Sequence, residues 1–168
     1  MIQIIKADIS YLDSVYDIVR KSSDWMKKEY TFTHWDSWYT KERIKENFRQ
    51  GDVYLLLKDN IPVATYTIKK SQPSYYSKVH IEKFNNPKAE AYYCYTLAVL
   101  PKYHGNGFAK ELLSHLEKTA KDNNIKYLRF DAKANYTQLI EFYKKFGFAI
   151  VGELNDEGEI YYLFEKII

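Results

Sequence analysis

The chain has 168 residues, 46% of them hydrophobic, and 25 Lys and Arg against 22 Asp and Glu give a formal charge of +3. That length builds one domain with a real core, and no apolar run approaches the ~20 residues of a membrane-spanning helix. Lysines stand beside acids, as in Lys41-Glu42-Arg43 and Lys110-Glu111, which describes a solvated surface and excludes a nucleic-acid stripe.

Residues 1–6 read as a strand, with Ile2, Ile4 and Ile5 at strand-like spacing and no secretory apolar core. Asp8 or Ser10 caps a following helix whose stripe is Leu12, Val15, Tyr16 and Val19. Rings then crowd the chain: Trp25, Tyr30, Phe32, Trp35, Trp38 and Tyr39. On a strand-like stretch Trp35 and Trp38 cannot share a face, which sends at least one of them into the core. Ile44 and Phe48 mark a short helix that stops at Gly51. Residues 53–58 and 63–69 form an antiparallel pair about Asp59-Asn60, with Pro62 where its missing donor matters least. From 71 to about 90 the sequence is polar, with Pro73, Pro87 and Asn85-Asn86. A connection that long reads as a lid or binding loop.

Residues 91–100 return to strand. Cys94 is the only cysteine, so no internal disulfide forms and a cytoplasmic home is expected. Leu97, Ala98 and Val99 form a buried-strand run that Pro101 ends, and Gly105 and Gly107 bracket Asn106 in a tight turn. Phe108, Leu112, Leu113, Leu116 and Ala120 then recur at helical spacing. The unpaired N–H groups of that helix's first turn, approached through a bend without Cβ atoms, make a cradle for a phosphorylated ligand. A dinucleotide fingerprint needs glycine where the chain has Lys110, and no P-loop string occurs. Residues 125–132 form a further strand, parallel to 91–100 across a right-handed crossover. Leu139, Phe142, Tyr143 and Phe146 define a helix ended by Gly147. Residues 148–154 and 159–164 flank Asn155, Asp156, Glu157 and Gly158 as a hairpin. There is no repeat or linker, so residues 1–168 read as one domain. His34, His80, His104 and His115 show no metal-binding spacing.

The run Val99-x-Pro101-x-Tyr103-His104-Gly105-Asn106-Gly107-Phe108-Ala109-x-x-Leu112-Leu113 resembles the acetyl-CoA signature of the GNAT superfamily of N-acetyltransferases. That signature is Arg/Gln-x-x-Gly-x-Gly/Ala between a strand and a helix. Gly107 and Ala109 fit it, while His104 stands where the family usually has Arg or Gln. Downstream, Asn135, Phe142-Tyr143 and Gly147-Phe148 resemble the family's Asn…Tyr-x-x-x-Gly-Phe block, with the Asn one residue further from the Tyr.

The resemblance implies an α/β (α+β) fold, a mixed central sheet of six to seven strands with helices on both faces. It implies acetyl transfer from acetyl-CoA, without a metal, to a primary amine of a small-molecule or peptide acceptor, in a family where homodimers are common. Carried over, the backbone of Leu97, Ala98 and Val99 holds the acetyl carbonyl and pantetheine. His104, Gly105, Asn106, Gly107, Phe108, Ala109 and Lys110 surround the pyrophosphate. A neutral imidazole lacks the charge and fork of Arg, so Lys102 or Lys110 supplies that charge. Tyr143 protonates the departing thiolate, a mismatch of about 2 kcal/mol on reference values; its other role is to pack on the apolar stripe. Asn135 reads as the cap of the same helix, and the resemblance adds a bond to the pantetheine arm. The acceptor pocket falls to residues 25–39 and 71–90, with Trp35, Glu90 and Tyr95 as contacts. The general base stays open among Glu90, Glu82, His80, Tyr95 and Asp131. Two other readings are a non-catalytic acyl-CoA binder or sensor, and a nucleotide-binding domain of another fold.

Overall fold

The structure is a computed structural model that describes residues 1–168. In chain order the elements are β1 (Ile2–Ala7), α1 (Leu12–Tyr30), α2 (His34–Trp38), α3 (Lys41–Gln50), β2 (Asp52–Lys58), β3 (Ile61–Lys69), α4 (Lys78–Ile81), β4 (Ala91–Val99), α5 (Phe108–Asp122), β5 (Tyr127–Lys133), α6 (Thr137–Lys145), β6 (Ala149–Asp156) and β7 (Glu159–Ile167). Seven strands are hydrogen-bonded in the order β1-β2-β3-β4-β5-β7-β6. β4 and β5 are parallel, as the crossover requires, and the β1–β2, β2–β3, β5–β7 and β6–β7 pairs are antiparallel. No helix is long and apolar enough to cross a membrane. Contacts divide the chain into two compact units, Met1–Lys69 with Tyr95–Leu116, and Lys70–Cys94 with Glu117–Ile168. The boundary cuts β4 between Cys94 and Tyr95.

In the first unit, residues 53–57 of β2 and 63–69 of β3 are buried without alternation, the pattern of strands covered on both faces. Tyr54 and Tyr66 are register partners whose rings stack at 5.1 Å, and His115 of α5 packs on Tyr54 while its Nδ1 meets the Tyr66 hydroxyl at 2.7 Å. The predicted α5 stripe is buried, with Phe108, Leu112, Leu113 and Leu116 in this unit and Ala120 in the second; each such leucine is worth roughly 1.5–3 kcal/mol. α1 inserts Val15, Ile18, Val19 and Met26. Thr40 caps α3 by accepting from the Arg43 N–H, and α3 ends at Gly51, where a Cβ would lie 2.3 Å from the Ile68 carbonyl oxygen.

Two expectations change here. Asp8 caps a 3₁₀ turn, Ile9–Tyr11, by accepting from the Ser10 N–H, and α1 starts only after it. Residues 34–38 are helical, not strand-like, so Trp35 and Trp38 are neighbours one turn apart and neither is buried. The buried ring of the segment is Phe32.

In the second unit, Ala91, Tyr92 and Tyr93 of β4 pair with Tyr127, Leu128 and Arg129 of β5. α6 inserts Ile140 and Tyr143, the latter against Phe130 at 4.5 Å and Phe164 at 5.4 Å. The connection between β3 and β4 is not a loose lid. Tyr76 and Phe84 are buried, and Arg129 and Glu165, both nearly inaccessible, are paired at 2.8 Å beneath it. Arg129 also donates to the Asn86 carbonyl at 2.9 Å and lies 4.6 Å over the Phe84 ring. Glu165 accepts from the backbone and side chain of Asn85 at 3.0 and 2.6 Å. The capping reading of Asn135 is corrected as well: the N-cap position of α6 is Tyr136, no side chain caps it, and Asn135 is exposed.

Candidate active site

The unusual feature of β4 is Thr96, whose φ of 50° places a β-branched residue in the left-handed region. Such conformations cost roughly 1–3 kcal/mol and persist where surroundings hold them. Here Thr96 is buried, and its hydroxyl lies 3.1 Å from that of Thr67 on β3. The turn sits one residue before Leu97, so it resets how Leu97, Ala98 and Val99 leave the strand. Nothing in the residue type announces it, since threonine is among the least suited to positive φ.

Beyond β4, the Val99 carbonyl accepts from Ser22 Oγ at 3.3 Å and from His104 Nε2 at 3.0 Å. The second bond puts the imidazole proton on Nε2, since the carbonyl can only accept. Trp25 meets the same ring edge-on at 4.5 Å. His104 is thus turned back onto the end of β4. The chain then makes a 3₁₀ turn, Pro101–Tyr103, and reaches Gly105 and Gly107 with φ of 79° and 80°. A Cβ at either would meet nothing within 4 Å, so these glycines serve backbone conformation and open space rather than packing. The Asn106 side-chain amide donates to the carbonyls of Tyr103 and His104 and holds the bend. Glu111 N–H donates to the Gly107 carbonyl at 3.1 Å, so the N–H groups of Phe108, Ala109 and Lys110 precede the first intrahelical donor. Three donors, the helix's partial positive charge and the exposed Lys102 and Lys110 fit an anionic group such as a diphosphate. A cavity of about 350 Å³ lies beside the turn, lined by Lys21, Asp24, Leu100, Pro101 and Lys102.

Trp35 and Tyr95 belong to this unit too. Trp35 packs edge-on against Tyr39 at 5.1 Å, and Tyr95 is half-buried with Lys69 Nζ 4.7 Å from its ring centre.

Tyr143, Asn135, Glu90, Glu82, His80 and Asp131 lie in the second unit. Burial pushes the Tyr143 phenol well above its ordinary pKa, with smaller contributions from Cys94, Tyr136 and Asp131. Burial likewise pushes the Cys94 thiol up to about 12, which removes it as a nucleophile at neutral pH. Of the base candidates, Asp131 accepts from the hydroxyls of Tyr75 at 2.9 Å and Tyr76 at 2.7 Å. His80 Nδ1 accepts from the Ser77 N–H at 3.1 Å, closing a capping box on α4. Glu82 and Glu90 are exposed and pair with Lys78 at 3.8 Å and Lys70 at 3.6 Å. No group of three or more His, Cys, Asp or Glu is placed to hold a metal ion.

A search among curated proteins returned no match to the sequence. Among solved structures, the chain is similar to the ribosomal-protein-S18-alanine N-acetyltransferase of Escherichia coli (TM-score 0.76, 15% identity, 100% of this chain and 94% of that one). It is similar to the PaiA N-acetyltransferase of Thermoplasma acidophilum in complex with coenzyme A (TM-score 0.76, 20% identity, 100% and 99%). A third likeness is to a GNAT family acetyltransferase of Elizabethkingia anophelis with acetyl-CoA bound (TM-score 0.65, 18% identity, 99% and 98%). At these identities the likeness carries the fold. The model of the Acetyltransferase (GNAT) family matches residues 12–148. With that match over most of its length, the chain belongs to the GNAT family of acetyltransferases.

Proposed function

We propose that residues 1–168 act as one catalytic domain that transfers an acetyl group from acetyl-CoA to a primary amine of a small molecule or peptide. The observation that carries this reading is the turn at Gly105 and Gly107, open to the outside and backed by the unsatisfied donors of α5. The Thermoplasma and Elizabethkingia proteins, of the same fold, are recorded with coenzyme A and acetyl-CoA. The Escherichia coli protein is named for the alanine of a ribosomal protein, an amine acceptor. The lone cysteine suits a reducing compartment, and the cytoplasm is the proposed location.

Acetyl-CoA supplies an acyl group activated as a thioester. The N–H groups of Phe108, Ala109 and Lys110 take the diphosphate, with Gly105, Asn106 and Gly107 forming the bend and Lys102 and Lys110 adding charge. His104 contributes by holding the Val99 carbonyl, so the residues at 97–99 present a fixed strand end to the pantetheine arm and acetyl carbonyl. Exposed Asn135 serves the pantetheine arm. The acceptor is assigned to Trp35 and Tyr95, with Glu90 at the edge of the connection.

Tyr143 is the proposed general acid. A phenol held above its ordinary pKa stays protonated throughout the neutral range and can donate but not accept. Taken alone, that shift makes protonation of a thiolate more uphill. Burial raises the Cys94 thiol in the same direction, and a thiolate expelled into buried surroundings is likewise a stronger base.

The test is thiol release from acetyl-CoA over a panel of primary amines. Amine-dependent release supports the reading. Tight binding of acetyl-CoA with no release from any amine would leave a non-catalytic acyl-CoA binder.

A further inference from the structure

Lys69, the last residue of β3, is a buried cation that the site described above does not use and that no carboxylate pairs. Only 9% of it is exposed, and its Nζ donates to Gln50 Oε1 at 3.1 Å and lies 4.7 Å from the centre of the Tyr95 ring. No carboxylate forms an ion pair with it, in contrast to Arg129, whose burial is offset by Glu165 at 2.8 Å. An ammonium in that position is desolvated without a counter-ion. Burial accordingly lowers the Lys69 pKa, with Glu46 a weaker opposing influence. The neutral amine, the form that attacks acyl groups, is thereby favoured.

Position matches reactivity. Side chains two apart on a strand leave on the same face, so Lys69 projects from the same side as Thr67. The Thr67 hydroxyl touches that of Thr96 at 3.1 Å, one residue before Leu97. Nζ itself lies against the ring of Tyr95, two residues before Leu97 on the same strand. Burial also keeps Lys69 from reagents that reach exposed lysines first.

We propose that the protein acetylates itself on Lys69, using acetyl-CoA held along residues 97–99. This rests on the acetyl-CoA reading above. The Nζ lone pair forms the N–C bond to the thioester carbonyl carbon, and the C–S bond breaks. The surplus proton on nitrogen ends on the departing sulfur, giving Nε-acetyl-lysine and the free thiol of coenzyme A. The product amide is uncharged and keeps an N–H for Gln50, so the modification removes a buried charge that no carboxylate pairs.

The experiment incubates the purified full chain with acetyl-CoA and follows acetylation by peptide mass mapping, with calorimetric binding of acetyl-CoA measured on the same sample. Acetyl incorporation at Lys69 is expected to be at least about tenfold faster than at exposed Lys102. Its first-order rate should not change with protein concentration, and Lys69→Arg should abolish it. Unmodified Lys69 despite measured acetyl-CoA binding, or modification no faster than at Lys102 or in urea-unfolded chain, would overturn the inference alone. Absence of acetyl-CoA binding would overturn the proposed function with it.

Discussion

Burial acts in opposite directions on the two titratable groups at the centre of this account. It raises the phenol of Tyr143 and lowers the amine of Lys69, because in each case the neutral form is the cheaper one to desolvate. For Tyr143, the hydroxyl adds little to packing against Phe130 and Phe164, so Tyr143→Phe should fold normally and bind acetyl-CoA as before. Its single-turnover acetyl transfer should fall by about tenfold or more, the scale of lost acid catalysis, and an unchanged rate would remove Tyr143 from the chemistry. Lys69 makes a prediction about stability. Its native pKa lies below its unfolded value, so the unfolded chain binds more protons between the two. Stability therefore rises with pH through that window and is least below it. Lys69→Met should raise the melting temperature at pH 7, and the gain should shrink toward pH 10, as thermal melts across that range would record.

Among the elements, the turn into α5 and the connection into β4 owe their order to different forces. Gly107 has a left-handed φ but no protein atom where a Cβ would go. Gly107→Val should thus cost stability only through backbone strain, about 1–2 kcal/mol, while filling space assigned to the diphosphate. Calorimetry should find acetyl-CoA binding weakened by more than about tenfold, the equivalent of ~1.4 kcal/mol; unaltered affinity would place the ligand elsewhere. The 70–90 connection instead hangs on Arg129 and Glu165, joined across 36 residues of sequence. Arg129→Met leaves Glu165 buried without its partner, so urea denaturation should report a loss of about 3–5 kcal/mol. Adding Glu165→Leu should restore part of it, because the pair is then replaced rather than broken.

At the scale of the molecule, the parts legible in the sequence are those where local chemistry and tertiary role coincide. The α5 stripe is buried as its spacing foretold, the glycine turn is open, the β6–β7 hairpin closes at Glu157 and Gly158, and β4 lies parallel to β5. What the sequence hid depends on distant partners. The polar look of residues 71–90 conceals the anchorage of Tyr76, Phe84 and Asn85, since the arginine and glutamate beneath them come from β5 and β7. The aromatic run around Trp35 was too short for periodicity to separate helix from strand. Thr96 adopts a conformation its residue type disfavours, His104 turns inward to Val99, and Lys69 is a core lysine at the end of an otherwise ordinary strand.

At every scale the bend at Gly105 and Gly107, at the mouth of α5, is proposed to select the diphosphate of a thioester carrier. Native mass spectrometry of the full chain titrated in parallel with acetyl-CoA, NAD and ATP tests it most directly. The account predicts a one-to-one adduct with acetyl-CoA that survives where NAD and ATP adducts do not. No acetyl-CoA adduct, or equal retention of all three, would contradict it.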